Sequence, residues 1–521
     1  MLSIPRTARS KFQQRLFQLT GVCLLLLCCN LSWAETTYRD TPVLTLRAQL
    51  YIKIGDYYSS RQEYERATAA YLKAAELSSE NLPLQQQLSI SERLVNVQKL
   101  GLAISNLQAI RRAEPGNSNA RLMLARYLGW HNRPRESAIV ANELMALQPD
   151  NLDARIIKAT VSSWRGDYAT AIPLFEEVLR QQEDFDTRLS YYHALSNVSH
   201  VIWRNDLADE LKTENEFQQL ALDELRWALQ LKSAPALEYR YEYYDDSYEN
   251  QHHEQQIRFS RPWHDASTWL SIGRAEAADG FGYNFDLDML SVGIKKAPGD
   301  ANRLLAEIGI TRYNDFDYAD VLSSHLLFSR RLPDLFLSLE YEHEAYDDYT
   351  FIVYNNIRTH KLAVKANYQP SDFWDIEFNQ LQTNYSDHNR SNETALMLRY
   401  AIHHTPPRIS IAYKQERLAF ATQTFHGYYD PDQANTGKLL LQISQSGNRY
   451  EASAEVYSGH QDSRRLGVAD DNSIIGWSAF YRLHLQRNLY FEIEWEGSNS
   501  SYINPYGYDY NLISAHARII L

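Results

Sequence analysis

Residues 335–349 read LFLSLEYEHEAYDDY. Leu335, Leu337, Leu339 and Tyr341 share one parity, while Ser338, Glu340, Glu342 and Glu344 share the other. Successive side chains of an extended chain point to opposite faces, so this stretch predicts a strand with leucines on one side and carboxylates on the other. Three environments suit such a strand. It can belong to the half-buried sheet of a soluble protein, to a site built on paired acids, or to a barrel with lipid outside and water inside.

The surrounding sequence chooses among them. Near Pro235 the hydrophobic period changes from 3.6 to 2, and from Leu237 onward alternating segments of about 9 to 13 residues follow one another. Short turn-like breaks fall at 262–266, 297–300, 332–334, 369–372, 405–407, 446–448 and 486–488. Between them come longer polar stretches, as near 250, at 417–433 and at 458–472. This rhythm gives about sixteen strands, with short turns on one side and longer loops on the other, which predicts a closed transmembrane barrel. A last strand, YNLISAHARIIL, puts Ile513, Ala515, Ala517, Ile519 and Leu521 on one parity. Such an apolar end resembles the signal read by the outer-membrane insertion machinery.

The same parity rule assigns further inward positions. Trp374, Ile376 and Phe378 oppose Asp375, Glu377 and Asn379. Tyr450, Ala452, Ala454 and Val456 oppose Glu451, Ser453, Glu455 and Tyr457. Phe491, Ile493 and Trp495 oppose Glu492, Glu494 and Glu496. With Glu340, Glu342 and Glu344, these acids predict a wide, mainly acidic lumen, whose basic exceptions include Lys361, Lys365, Arg408, Lys414, Lys438 and Arg482. Most such residues are plain solvated charges, yet together they attract cations and repel anionic polymers. Tyr313, Tyr457 and Tyr490 are equally suited to packing or to stacking on sugar rings.

The first half reads differently. Gly55, Tyr58, Ala67, Tyr71 and Ala74 stand at offsets 0, 3, 12, 16 and 19 and resemble a tetratricopeptide helix–turn–helix repeat. The pattern returns with Ala103, Leu107, Ile110 and Pro115, then with Ala125, Leu128, Ser137, Ala141, Leu144 and Pro149, and again with Ala159, Ala171, Phe175 and Val178. Residues 186–231 are helical in pattern but degenerate. These are packing positions, and a superhelix of such pairs offers a concave surface for a partner.

Residues 1–34 read as an export leader: Arg6, Arg9, Lys11 and Arg15 precede VCLLLLCC, and Ser32-Trp33-Ala34 offers a cleavage site. Lipidation at Cys28 or Cys29 is the alternative, although Leu27 stands where a small residue is wanted. All three cysteines lie in that leader, so the exported part, read as a helical domain at 35–235 and a barrel at 236–521, has no thiol. A net charge of −13 argues against nucleic acid. Past residue 34 no run of about 20 apolar residues predicts a membrane helix.

Chemistry is less visible. A glycosidase would need two carboxylates about 5 to 9 Å apart, a pairing that any acidic lumen supplies by chance. His252-His253 and His403-His404 are adjacent on strands, where neighbours point apart, so neither pair predicts a metal site. The stretch HGYYDPDQ at 426–433 reads as turn chemistry. No phosphate loop or nucleotide fingerprint is present, and neither cofactor nor enzymatic activity is expected.

A repeat superhelix followed by a barrel of about sixteen strands resembles the bacterial outer-membrane export porins of exopolysaccharides, above all that of poly-N-acetylglucosamine. The resemblance implies an outer-membrane barrel set in lipid, with periplasmic repeats that dock the polymer, a modifying enzyme or a lipoprotein. It also implies that these lumen acids touch a partly cationic polymer. The surface-lipoprotein assembly modulators, which handle protein cargo, share the plan, and a receptor without transport is a third reading.

Overall fold

Small residues set the spacing of the helices. The computed structural model describes residues 41–78, 83–198 and 211–521, apart from positions 248, 265, 298–300, 349, 425, 448 and 500–508. The expected leader with its cysteines, and parts of the turns expected at 262–266, 297–300 and 446–448, lie outside the described residues.

Two compact units divide at Leu124 and Ala125. The first holds α1 (Thr41–Ser59), α2 (Tyr64–Ser78), α3 (Leu84–Asn96), α4 (Leu100–Ala113) and the start of α5 (Ser118–Trp130). A Cβ on Gly55 would lie 2.2 Å from the ring of Tyr71, so this glycine is the notch that the tyrosine fills. The Tyr71 hydroxyl donates to Asp56 at 2.9 Å, and Asp56 in turn accepts from Arg93 at 2.7 Å. Ala67, Ala74, Ala103 and Leu107 are wholly buried, as repeat packing requires.

The second unit takes the end of α5 together with α6 (Pro134–Leu147), α7 (Leu152–Trp164), α8 (Tyr168–Leu179), α9 (Phe185–Ser196) and α10 (Glu216–Ser233), and then the strands. Asn151, Asp167 and Asp184 cap α7, α8 and α9 by accepting from backbone N–H groups three residues on. Ser137 donates to the Ala125 carbonyl at 2.5 Å, a bond that only a small side chain between close helices can make.

Sixteen antiparallel strands close into one barrel: β1 (Ala236–Asp246) pairs with β2 (Gln251–Trp263) and also with β16 (Tyr510–Ile520). Between them run β3 (Ala266–Ala278), β4 (Asn284–Lys296), β5 (Asn302–Tyr313), β6 (Val321–Arg331), β7 (Leu335–Ala345), β8 (Arg358–Tyr368) and β9 (Trp374–Tyr385). The circuit continues through β10 (Arg390–His403), β11 (Arg408–Phe420), β12 (Gln433–Ser446), β13 (Tyr450–Arg465), β14 (Val468–Gln486) and β15 (Leu489–Ser498).

Alternate residues expose an apolar belt on the outside, including Ile257, Ile272, Leu326, Leu339, Leu398, Leu441 and Ile493. Trp263, Tyr368, Trp374 and Tyr400 gather toward the short-turn end, as aromatic girdles do at a bilayer surface. A continuous apolar belt of this kind is not left in water. The barrel spans a membrane.

Of the stretches expected as loops, 458–472 is mostly strand, whereas 417–433 is loop except at its ends. Residues 417–420 continue β11, and 458–472 form the tip of the β13–β14 hairpin, closed by Leu466 and Gly467, both at positive φ. At 16 and 19 residues, β13 and β14 are longer than the 9 to 11 or so that cross a bilayer, so their ends stand beyond it. Polar side chains then occupy both faces, which hides the period of 2 while the backbone ladder continues.

Candidate functional site

Lumen charge is mostly neutralised between neighbouring strands. Glu340 on β7 meets Lys365 on β8 at 3.1 Å and His325 on β6 at 3.0 Å. Glu344 meets Lys361 at 2.5 Å, and Glu377 meets Arg399 at 3.1 Å. Arg482 bridges Glu451 and Glu492 at 2.8 and 2.7 Å. Asp375 accepts from Asn367 and Gln369, and Glu342 lies 3.6 Å from His325. Glu455 and Glu496 also face inward, Glu496 beside the Tyr510 hydroxyl at 3.4 Å.

Parity alone did not single out Glu238, Glu242, Glu254, Glu307 and Glu416. Glu416 is buried between Lys414 and Lys438, at 2.5 and 2.8 Å. Arg258 on β2 reaches Glu307 on β5 at 3.7 Å, its guanidinium lying over the Trp269 ring of β3 at 5.2 Å. A cavity of about 470 Å³ lies against these walls, lined by Arg240, Glu242, Glu254, Glu307, His325, Glu342 and Glu492, among others.

On one wall the carboxylates lack a paired cation among the described residues, although Arg240 lines the same cavity. The register sets Glu254 opposite Glu242, Glu242 opposite Ser514, and Ser514 opposite Glu494. Three carboxylates and a hydroxyl therefore form a row across β2, β1, β16 and β15. Among the described residues no lysine or arginine pairs with Glu242, Glu254 or Glu494. Like charges set opposite each other destabilise a sheet.

His325, Glu340 and Glu342 place one ligand atom each within 4.8 Å of one another and could hold a metal ion, although Lys365 already occupies Glu340. Strand adjacency hid this group, because it forms across β6 and β7. His252 is buried, His253 accepts or donates at the Tyr241 hydroxyl, and His404 packs against His131.

Loop residues fill the lumen at the loop end. A short helix, Thr350–Tyr354, turns inward, and Val353 packs against inward residues Ala275, Ala277, Phe285, Leu287 and Tyr313. Ile352 joins a second cluster with Tyr244, Ile357 and Tyr428, against which Tyr385, Phe420, Tyr510 and Leu512 pack. That cluster touches β1 and β16 on one side and β9 and β11 on the other, so it crosses the lumen. Tyr428 stacks on Tyr385 at 4.6 Å and donates to Asp387 at 2.6 Å. Burial pushes the Asp387 carboxyl up, but hydrogen bonds from His426 and Tyr428 outweigh it and hold the group below the usual carboxylate range. Arg465, at the end of β13, pairs with the fully buried Asp430 at 2.7 Å. The stretch at 426–433, expected as turn chemistry, is thus part of a plug. Its paired tyrosines were the visible signal.

At the short-turn end, helices of the second unit dock directly. Arg135 and Arg165 converge on Asp334 in the β6–β7 turn, at 2.9 and 2.5 Å. Burial raises the Asp334 carboxyl, yet the hydrogen bonds and charges of Arg165 and Arg135 hold it below its usual range. Asp372, in the β8–β9 turn, accepts from the backbone N–H groups of Arg135 and Glu136, each at 3.1 Å. It thereby caps α6 from a distant part of the chain. Asp372→Ala is expected to cost about 1 kcal/mol at that helix end. Amide exchange of Arg135 and Glu136 should speed up roughly fivefold, and an unchanged rate would show that the cap does not hold the joint.

No family model matches the sequence, and no curated protein matches it. Among solved structures, the chain is similar to a bacterial polysaccharide outer membrane secretin at 12% identity, over 56% of this chain and 99% of that one, with a TM-score of 0.46. It is similar to a tetratricopeptide repeat protein from Parabacteroides merdae at 13% identity, over 36% and 72% of the two chains, with a TM-score of 0.30. CdiB from Acinetobacter baumannii matches at 9% identity over 60% and 70%, with a TM-score of 0.37. Likenesses of this order say nothing of cargo.

Proposed function

We propose that this chain is an outer-membrane channel exporting a polysaccharide that carries free amines, with its helices in the periplasm and its leader cleaved after Ala34. The observation that carries the reading is the row Glu254, Glu242, Ser514 and Glu494. Elsewhere most lumen carboxylates meet a neighbouring cation, whereas here like charges face one another, and a passing ammonium group relieves the repulsion. Of the carboxylates assigned from parity, Glu342, Glu455, Glu494 and Glu496 remain available to a polymer. Glu340, Glu344, Glu377, Glu451 and Glu492 are held mainly by neighbouring cations, and Asp375 by amides. Those held groups keep the wall polar and rigid.

A deletion strain should lose released polymer and retain it in the periplasm, with restoration of the gene reversing both. A Glu242→Gln, Glu254→Gln, Glu494→Gln triple variant should assemble normally while released polymer falls several-fold. Unchanged polymer in the deletion strain overturns the reading and directs attention to protein cargo.

A further inference from the structure

The inner face of α5, α7 and α9 holds a groove of about 390 Å³, lined by Trp130, Ile157, Trp164, Gln182, Asp184 and Asp186, among others. Trp130 and Trp164 close α5 and α7 and stand 34 residues apart, one repeat period. Each indole is 57% exposed, an unusual state for two large apolar rings side by side. A Cβ on Gly129 would lie 3.1 Å from Trp164 Cζ3, so the Trp164 ring lies over the glycine that precedes Trp130. Tyr127 stacks beneath Trp130 at 5.4 Å and holds that ring in place.

Acids border the rings. Asp184 uses Oδ1 to cap α9 through the Thr187 N–H at 2.9 Å, while its Oδ2 is buried without a hydrogen-bond partner among the described residues. Asp153 faces Arg126 at 3.6 Å, which leaves Asp184 and Asp186 as the groove's carboxylates without a paired cation among the described residues. Trp164 also lines the neighbouring cavity at the short-turn end, together with Arg165, Asp372, Asp375, Arg399 and Gln442. One indole is therefore common to the helical groove and the barrel entrance.

We propose that Trp130 and Trp164 form a glycan track: consecutive pyranose rings of a neutral-to-cationic polysaccharide stack on the two indoles, and Asp184 takes a hydroxyl or ammonium group. Flat apolar sugar faces match exposed indoles, and a carboxylate without a paired cation disfavours an anionic polymer. A basic peptide segment would satisfy the acids but has no need of two exposed indole rings. The assignment deepens the export reading and rests on it.

The test is calorimetric titration of the full-length protein in detergent with glucosamine hexamer and N-acetylglucosamine hexamer. Channel block by the same sugars is read in planar bilayers. The Trp130→Ala, Trp164→Ala double variant should bind at least tenfold more weakly, and Trp→Phe at both positions should restore much of that loss. Asp184→Asn keeps a helix cap and should reduce only the preference for the glucosamine oligomer. Unchanged affinity in a double variant that keeps its heat-modifiable gel mobility overturns the track, and export stands if the sugars still block the channel. Sugars that neither bind nor block overturn both readings. Tryptophan-dependent binding of oligolysine without sugar binding overturns the track in favour of a peptide partner.

Discussion

Replacing Leu339 with arginine is expected to prevent stable assembly of the barrel. Leu339 sits well inside β7, is about half exposed, and lies beside Phe328 of β6 and Val364 of β8 on the outer surface. Counting from the turn at 332–334, it falls near the middle of the apolar belt. There a guanidinium has neither water nor a counter-charge, and the cost is about 2–4 kcal/mol, enough to shift a folding equilibrium by roughly thirty- to several hundred-fold. In outer-membrane fractions the heat-modifiable band should largely disappear. Glu342→Gln, three residues further along but on the inner face, should leave that band intact. Equal behaviour of the two variants would contradict the assignment of faces.

The second large effect is expected at the plug. Gly427 holds φ at +102°, and a Cβ there would lie 2.9 Å from the Ile352 nitrogen and 3.0 Å from Phe351 Cβ. Gly427→Val therefore meets two penalties at once: a backbone conformation that branched residues avoid, at about 1–3 kcal/mol, and a collision with the short helix Thr350–Tyr354. The loop has to move, and the Tyr428 ring leaves Tyr385 with it. Single-channel conductance should rise several-fold while the barrel, whose strands are untouched, keeps its thermal stability. Arg465→Ala should act in the same direction by stranding the buried Asp430. Conductance equal to that of the unaltered protein in both variants would mean that these two loops do not limit flow.

Alternation made the barrel legible because lipid and water impose opposite demands on neighbouring residues. Where a strand leaves the bilayer that contrast ends, and so 458–465 carried no period even though its ladder to β14 is complete. Candidate lumen acids were legible to the same extent: parity says that Glu340 points inward. Only register says that Lys365 meets it, and register depends on all the turns before it. The row at Glu242 and Glu254 was hidden for that reason. So was Arg258 with Glu307, which joins strands that are not neighbours. Asp334 and Asp372 were visible as turn residues, but a carboxylate suited to a turn looks no different from one that also receives a helix. Of the repeats, the packing residues were plain, whereas the exposed Trp130 and Trp164 followed no packing rule and carried no flag.

Asp372 follows Arg135 by 237 residues. A helix whose first turn is finished by so distant a carboxylate draws part of its end stability, about 1 kcal/mol, from the barrel. The two amides have this partner only where the β8–β9 turn is in place beside the helix. The first turn of α6 and the β8–β9 turn are thus linked, and anything that displaces one of them is felt by the other.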